Sequence, residues 1–286
     1  MAERPARKAQ TAHLAEVLRS ERLTPHMQRV VLGGPGLDQF EAGTHSDHYI
    51  KLLFPAAGVS YPEPFDIQQI RADFPRDQWP VTRTYTVRAW DPELRELTVD
   101  FVVHGDEGLA GPWSTAVRPG EQLRFLGPGG GYAPDAAADW HLLAGDESAL
   151  PAIAASLEQM PAGAPVHAFV EVSGPEEEQY VASSPVGSRI TWLHRGSGPV
   201  GEALVAAVRD LPFPPGDVQA FVHGEAGFVK ELRRHLRLDR EIPRERLSIS
   251  GYWRLGHNEE GWQSAKREWN AQVEAEQESP VGANAA

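Results

Sequence analysis

The sequence predicts an α/β protein in two parts, a small antiparallel β-barrel followed by a parallel sheet with crossover helices. Up to about residue 126, the apolar residues fall in short alternating runs separated by turns, which is typical of antiparallel strands. Beyond the glycine-rich run 127–131, strand-like runs alternate with helix-like ones, which indicates parallel strands joined by helices. The chain has 286 residues, enough for two domains.

In the first part, the alternation is clearest where Leu97, Val99 and Phe101 alternate with Thr98 and Asp100, so one face of that strand is predicted to be buried. Strand and turn signals together predict six strands and two short helices. The strands are expected at two segments within 12–33 that meet near 23–25, and at 48–54, 82–90, 94–103 and 121–126, with the helices at 67–74 and 110–117.

In the second part, strands are predicted at 140–144, 166–172, 189–194, 219–223 and 247–250, and helices at 149–160, 202–208 and 226–235. A final helix is predicted to begin at Asn258, a favourable N-cap. Trp262 and Trp269 share a face of that helix and are expected to pack onto the body of the protein, with substrate contact as the alternative. We place the domains at 1–133 and 134–276 and expect a disordered tail at 277–286.

Composition excludes several classes of function. The net charge of −13 argues against nucleic acid or an anionic membrane as the main partner. The chain has no cysteine, which excludes disulfides, thiolate nucleophiles and protein-bound iron–sulfur clusters, and its 11 histidines show no metal-site spacing. The polar N-terminus and the lack of a long apolar run predict a cytoplasmic protein with no membrane span. We also expect a monomer.

The most suggestive single motif is the run 83–86, because it sets Arg83, Tyr85 and Thr86 side by side on a predicted strand. A flavin dinucleotide needs a cation for its pyrophosphate, a flat side chain against its ring system and a small hydrogen-bonding group at the ring edge. The alternative is an exposed strand whose arginine and threonine face water.

Two further segments have the form of phosphate or nucleotide sites. Residues 100–105 form the end of a strand, and the glycine-bearing run 108–115 leads into a helix, so that backbone N–H groups there could hold a phosphate. Residues 144–153 run from a strand through a polar turn into a helix, where open α/β sheets bind nucleotides. The alternatives are an ordinary strand–loop–helix connection and, for Asp146 and Glu147, simple capping of the helix.

Together these motifs resemble one family. R-x-Y-T at 83–86, D-F-V-x-H-G at 100–105 with G-x-A-x-x-W at 108–113, G-D-E-[ST]-A-L-P-A-I at 145–153 and G-Y-W-R-x-G at 251–256 are similar to the siderophore-interacting proteins. That family consists of FAD-dependent ferric-siderophore reductases of the ferredoxin-reductase superfamily. The resemblance spans about residues 12–272 and implies a six-stranded FAD-binding β-barrel followed by a Rossmann-like NAD(P)H-binding domain.

The resemblance also implies roles for individual residues. Arg83 would bind the FAD pyrophosphate, while Tyr85 and Thr86, the expected catalytic pair, would stack on the flavin and hydrogen-bond near its reactive nitrogen. Lys51 and Arg254 would bind the anionic siderophore. Further cofactor contacts are implied for FAD at Asp100, Val102, His104, Gly108, Ala110, Trp113, Ser114 and Thr115, and for the nicotinamide at Asp146, Glu147, Ser148 and Ala149.

The sequence departs from the family pattern at two places. The serine usual in the phosphate loop is Gly111 here, so either Ser114 or Thr115 substitutes for it or the contact is lost. The family has a third basic residue near 130–132, and this chain has none there. These departures bear on FAD binding and on siderophore binding respectively.

The implied activity passes electrons from a nicotinamide donor through FAD to Fe(III), so that the siderophore releases Fe(II), which its hard oxygen ligands bind weakly. The acidic run 171–178 favours NADH over NADPH, unless it is only a solvated loop. A ferredoxin donor would need a basic docking surface. The alternatives are a general NAD(P)H:flavin or ferredoxin-type reductase and, without catalysis, a siderophore- or flavin-binding protein.

Overall fold

The computed structural model describes residues 12–106, 108–181 and 190–278. The chain divides into two compact units. The first unit contains the residues up to Arg22 together with Gln28–Gly130, and the second contains Leu23–Met27 and the residues from Gly131 on. The domain boundary predicted after residue 133 differs from this division by three residues and stays a prediction. No sequence pattern indicated that Leu23–Met27 belongs to the second unit.

The first unit is built on a seven-stranded antiparallel sheet in the order β4-β3-β7-β1-β2-β6-β5. Its strands are β1 (Ala12–Thr24), β2 (Met27–Gly33), β3 (Tyr49–Phe54), β4 (Val81–Thr86), β5 (Ala89–Asp91), β6 (Glu96–Val102) and β7 (Gln122–Gly129). Its helices are α1 (Ile67–Asp73) and α2 (Ala110–Ala116).

The sheet has one strand more than predicted, because the expected strand at 82–90 is divided. Val87 N–H donates to the His48 carbonyl oxygen at 2.7 Å, whereas Arg88 N–H donates to the Thr98 carbonyl oxygen at 2.9 Å. The chain therefore passes from β4, at one edge of the sheet, to β5, at the other edge, within two residues. A sheet whose two edges are joined so tightly must curl, which gives the barrel that the pattern predicted.

The second unit carries a five-stranded parallel sheet in the order β10-β9-β8-β11-β12. Its strands are β8 (Trp140–Asp146), β9 (Val166–Val172), β10 (Ile190–His194), β11 (Val218–Glu225) and β12 (Leu247–Trp253), and its helices are α3 (Leu150–Glu158), α4 (Glu202–Asp210), α5 (Ala226–Arg234) and α6 (Glu259–Glu278). The strand order reverses beside β8, as in doubly wound nucleotide-binding folds. The predicted fold class, a β-barrel followed by a Rossmann-like domain, is confirmed.

The final helix begins as predicted but extends further. Asn258 Oδ1 accepts a hydrogen bond from Gly261 N–H at 2.8 Å, so it caps α6. Trp262 is buried and meets Trp269 edge to face, with ring centroids 5.3 Å apart. Gln277, placed in the tail by the prediction, is buried at the end of α6, and residues 279–286 of that tail lie outside the described residues.

In the described part of the chain, no helix combines the length and the apolar character that crossing a membrane requires.

Candidate active site

The ladder between β3 and β4 sets the first group of candidate side chains. Tyr85 lies opposite Ile50, and Lys51 lies opposite Thr84. Residues directly opposite each other point to the same face of a sheet, and successive residues alternate. Tyr85 and Arg83 therefore share the face of the buried Ile50, while Lys51 and Thr84 occupy the other face.

Aromatic packing holds the β4 motif in place. The Tyr85 ring lies 4.4 Å from the Phe101 ring, centroid to centroid, and Phe101 in turn lies 5.6 Å from Trp113. Thr86 is 8% exposed, and Arg83 Nη1 donates to the Thr82 carbonyl oxygen at 3.0 Å. The three residues of the motif are thus presented by one strand whose aromatic side chain is fixed by the barrel interior.

Asp100, an implied FAD contact, is engaged inside the first unit. Arg29 binds it through two hydrogen bonds, Nε to Oδ1 and Nη2 to Oδ2, both 2.7 Å long, and Asp100 is 5% exposed. A bidentate pair of this kind holds the two strands β2 and β6 to each other. Its role as a cofactor contact stays a prediction. His104, beyond the end of β6, is exposed.

The segment between β6 and α2 offers backbone donors. Gly105 and Gly108 have φ of 58° and 81°, with open space where a Cβ would stand. Among the described residues no side chain caps α2, which begins at Ala110, so the N–H groups of Ala110 and Gly111 could serve an external acceptor. Gly111 lies so near β6 that an added Cβ would be 3.4 Å from the Val102 carbonyl oxygen. Such a donor set, with open space beside it, fits the phosphates of FAD.

The two proposed replacements for the missing loop serine differ in placement. Ser114 has no exposed surface, and its Oγ donates to the Gly111 carbonyl oxygen at 2.7 Å. Thr115 is exposed, and its Oγ1 donates to the Pro112 carbonyl oxygen at 2.9 Å. The exposed Thr115 hydroxyl could reach a ligand by turning away from its own helix. The buried Ser114 hydroxyl could do so only if the loop unpacked. The geometry therefore favours Thr115 over Ser114 for this contact.

In the second unit, Asp146 stands at the carboxyl end of β8 and has no exposed surface. Its carboxylate accepts hydrogen bonds from Ser148 N–H at 2.9 Å, from Glu225 N–H at 2.8 Å and from the Trp253 indole Nε1 at 2.8 Å. Burial, and secondarily the neighbouring Glu147 charge, raises the pKa of Asp146 to about 6. A carboxylate so enclosed joins the ends of three strands, β8, β11 and β12. Its implied contact with the nicotinamide stays a prediction.

The neighbouring acidic residues are also engaged. Arg195 binds Glu147 through both terminal nitrogens, the Nη1 contact being 2.9 Å. Glu171 is fully buried and accepts from Gly201 N–H at 2.7 Å and Leu204 N–H at 3.3 Å, which caps α4. Burial raises the pKa of Glu171, although those two N–H groups oppose the shift. The acidic residues of this region therefore bind other groups within the protein.

Close packing surrounds the start of α3. An added Cβ on Gly145 would lie 2.6 Å from the Ala149 Cβ and 2.7 Å from the His223 carbonyl oxygen. Ala149 itself is completely buried, whereas Ser148 is half-buried. The motif at 145–153 is thus partly a packing motif, and Ser148 and Glu147 are its members with accessible surface.

The two implied siderophore contacts belong to different units: Lys51 is half-buried on β3, and Arg254, also half-buried, directly follows β12. At Gly130, where the resemblance implies a third basic residue nearby, an added Cβ would lie 3.0 Å from the His45 Cβ and 3.1 Å from His48 Nδ1. His48 is buried, and burial lowers its pKa. The side chains of His45, His48 and Asp47 therefore occupy the space that a larger side chain at this position would need.

Sequence reasoning missed three residues that organise these sites: Arg29, Arg195 and Glu225. Arg29 stands beside two valines in a predicted strand, and an arginine in such a run signals a buried partner. Glu225 lies between a predicted strand and a predicted helix, where it accepts from Gly227 N–H and Phe228 N–H as an N-cap. No comparable signal marks Arg195, whose partner lies 48 residues away.

Within the ranges that the structure describes, no three histidine, aspartate or glutamate side chains are grouped to hold a metal ion.

Comparison with known proteins identifies the family. A model of the siderophore-interacting FAD-binding domain matches residues 16–132, and a model of the siderophore-interacting protein matches residues 138–256. The ferric vibriobactin reductase ViuB of Vibrio cholerae is 36% identical, over 87% of this chain and 92% of its own length. The NADPH-dependent ferric-chelate reductase of Escherichia coli K12 is 31% identical, over 83% and 91%.

A solved structure supports the same family. The siderophore-interacting protein SipS from Aeromonas hydrophila matches with a TM-score of 0.77 and 31% identity, over 92% of this chain and 99% of that one. Family models and relatives cover both units, so the match is not confined to the common fold. The chain belongs to the siderophore-interacting protein family.

Proposed function

We propose that this protein is a flavin-dependent ferric-siderophore reductase that takes electrons from NAD(P)H. The observation that carries the proposal is the fit of the first unit to FAD. The family's FAD-binding model spans that unit, in which β4 carries a guanidinium, a phenol ring and a hydroxyl, and its Tyr85 ring packs through Phe101 toward Trp113 of α2. The named activities of the Vibrio and Escherichia relatives support the same reading.

In this proposal the residues of the β4 motif and of the start of α2 each have a role in binding FAD. Arg83 pairs with the FAD pyrophosphate, and Tyr85 lies against the ring system with Phe101 behind it. Thr86 donates or accepts at the ring edge. Backbone N–H groups at the start of α2 bind phosphate oxygens, with Thr115 as an additional donor. The chemistry that bound FAD supplies is the conversion of a two-electron hydride into two single electrons, one for each of two Fe(III) ions.

The second unit binds the nicotinamide at the carboxyl end of β8, beside the start of α3, where parallel sheets of this order take nucleotides. Ser148 and Glu147 are the accessible residues there. Asp146 and Ala149 act from beneath by shaping the turn, since both are buried.

We propose that NADH is the preferred donor. The acidic run itself does not support this, because three of its glutamates have partners within the protein. Glu171 caps α4, Glu177 Oε1 lies 2.6 Å from His26 Nδ1, and Glu178 Oε1 lies 2.8 Å from His194 Nε2. The argument comes instead from Arg195, because its guanidinium is held by Glu147 and is not offered to a 2′-phosphate. The ratio of kcat/KM for NADH and NADPH tests this, and a ratio below one overturns it.

The substrate is a ferric siderophore, whose negative charge attracts Lys51 and Arg254. Fe(III) arrives bound to the siderophore, and Fe(II) leaves it after reduction because hard oxygen ligands bind Fe(II) weakly. Since the donor is a metabolite of the cytoplasm, we propose that compartment as the place of reaction, and a monomer as the working form.

The deciding experiment is an anaerobic visible spectrum of the purified protein reconstituted with FAD. Addition of NADH or NADPH should bleach the flavin band, and addition of a ferric siderophore should restore it while Fe(II) appears. A protein that gains no flavin band would contradict the proposal and leave a binding role. A protein that bleaches but reduces free flavin instead of the siderophore would be a general flavin reductase.

A further inference from the structure

Arg254 lies between two residues that are tied to buried carboxylates. The indole Nε1 of Trp253, on its N-terminal side, donates to Asp146 Oδ2 at 2.8 Å. The backbone N–H of Leu255, on its C-terminal side, donates to Glu225 Oε1 at 3.2 Å. Both carboxyl groups come from other strands, so the short segment that carries Arg254 is anchored on both sides.

The two anchors are joined to each other. Glu225 N–H donates to Asp146 Oδ2 at 2.8 Å, and Asp146 Oδ1 also accepts from Ser148 N–H and from Ser148 Oγ, at 2.9 and 2.5 Å. Asp146 is fully buried and Glu225 is 7% exposed. Hydrogen bonds to buried carboxylates are stronger than those between neutral groups, so such a network is rigid.

The fold explains why side chains are needed here. Among the strands that the structure describes, β12 lies at the edge of its sheet, next to β11. Its register with β11 shifts at the end, where Gly224 faces Gly251 but Glu225 faces Trp253. The regular ladder is therefore disturbed just before Arg254, and the two carboxylates supply the hydrogen bonds that the backbone pairing no longer supplies.

We propose that Asp146 and Glu225 are positioning residues for Arg254, holding its backbone for the ferric siderophore and linking it through Ser148 to the loop that precedes α3. This inference rests on the proposed function, because it presumes that Arg254 binds the siderophore. It gives Asp146, the aspartate of the G-D-E-S segment, a role in siderophore binding, whereas the resemblance implied a role in nicotinamide binding.

The charge state of Asp146 makes the proposal sensitive to pH. Above its pKa of about 6 the carboxylate accepts from Trp253; below it the added proton weakens that bond. The charged groups around Asp146 are Glu147, which raises its pKa, Arg195, whose own pKa it helps to raise, and Glu225, whose amide it binds. The contribution of the Trp253 anchor should therefore fade as the solution becomes more acidic.

The test uses the FAD-loaded full chain and the ferric tris-catecholate complex of 2,3-dihydroxybenzoate as probe. Trp253→Phe removes the indole donor and keeps an aromatic ring. Trp79→Phe is the matched control, because it removes an indole donor bound to the Phe74 carbonyl oxygen at 2.9 Å in the first unit. We expect Trp253→Phe to weaken the equilibrium Kd for the probe about five- to tenfold at pH 7.5, with the control unchanged.

Three further readouts separate positioning from general damage. FAD content and NADH oxidation with ferricyanide should be the same in Trp253→Phe as in the wild type. The ratio of the two probe Kd values should fall towards one between about pH 7.5 and about pH 5, as Asp146 is protonated. Glu225→Gln, which alters the other anchor, should weaken probe binding in the same way.

The outcomes are distinct. Unchanged probe affinity in Trp253→Phe overturns the inference even when Arg254→Ala weakens binding. A ratio that does not depend on pH would overturn only the pH dependence assigned to Asp146. If Trp253→Phe does not fold, unchanged affinity in Glu225→Gln overturns it instead. If Arg254→Ala itself leaves the probe Kd unchanged, the assignment of Arg254 under the proposed function fails, and the positioning role with it.

Discussion

In the first unit, Arg83, Tyr85 and Thr86 are neighbours along the chain, on β4, whereas in the second unit Asp146, Glu225 and Trp253 come from the ends of three strands, β8, β11 and β12. Arg83 and Tyr85 need only the pleat of one strand to share a face. Asp146, Glu225 and Trp253 meet only because a parallel sheet aligns its carboxyl ends. The first arrangement can be read as a motif, while the second depends on strand order. The two regions should therefore respond differently to substitution.

The largest effect is expected where the second unit is most tightly packed. Gly145→Ala would set a Cβ 2.6 Å from the Ala149 Cβ and 2.7 Å from a backbone oxygen, so the free energy of unfolding should fall by about 3 to 4 kcal/mol. Gly131→Ala, in the same unit with nothing within 4 Å, is the control. Urea unfolding of both variants measures this, and equal stability would show that the turn relaxes freely.

The next effect concerns Asp146 and stability as a function of pH. The folded state raises its pKa from 3.8 to about 6, so it holds the proton more tightly than the unfolded chain does. Its stabilising contribution is complete below about pH 3.8 and is lost as the pH rises through about 6, an effect of about 3 kcal/mol.

Asp146→Asn has no such titration, so its free energy of unfolding relative to the wild type should improve by about that amount between pH 4 and pH 7. Denaturant titrations at the two pH values give the difference, in which the other titrating groups cancel. A difference that is independent of pH would mean that Asp146 keeps an ordinary pKa in the folded protein.

A smaller effect is expected for the motif on β4. Arg83→Ala should weaken FAD binding about thirtyfold, because a charge-assisted contact to the pyrophosphate is lost while the strand itself stays paired. Thr84→Ala, on the opposite face of the same strand, should leave FAD affinity unchanged. Flavin fluorescence titration of the two apoproteins decides this, and equal affinities would remove Arg83 from the FAD site.

The smallest effect should follow from Arg254→Ala. We expect ferric-siderophore turnover, measured as kcat/KM, to fall about tenfold through the loss of one cation at the substrate. FAD content and NADH oxidation with an artificial acceptor should be retained. Loss of both activities to the same degree would make Arg254 a structural residue.

Several features of this protein were determined by the sequence alone. The change from alternating runs to strand–helix alternation at 127–131 predicts both sheets, since side-chain periodicity reflects which face of each element is buried. The motif at 83–86 and the cap at Asn258 depend on residues within one strand or one helical turn, so they too can be predicted locally. The family follows from four such short motifs.

Tertiary structure alone decided how the charges are used. Asp100 meets Arg29, Glu147 meets Arg195, and Asp146 receives Trp253, across 71, 48 and 107 residues of chain. No local pattern identifies both members of such a pair, because a carboxylate at the end of a strand looks the same in sequence whether it faces a ligand, caps a helix or anchors a neighbouring strand. The strand order and register bring the partner within hydrogen-bond distance, and burial makes the bond strong enough to matter.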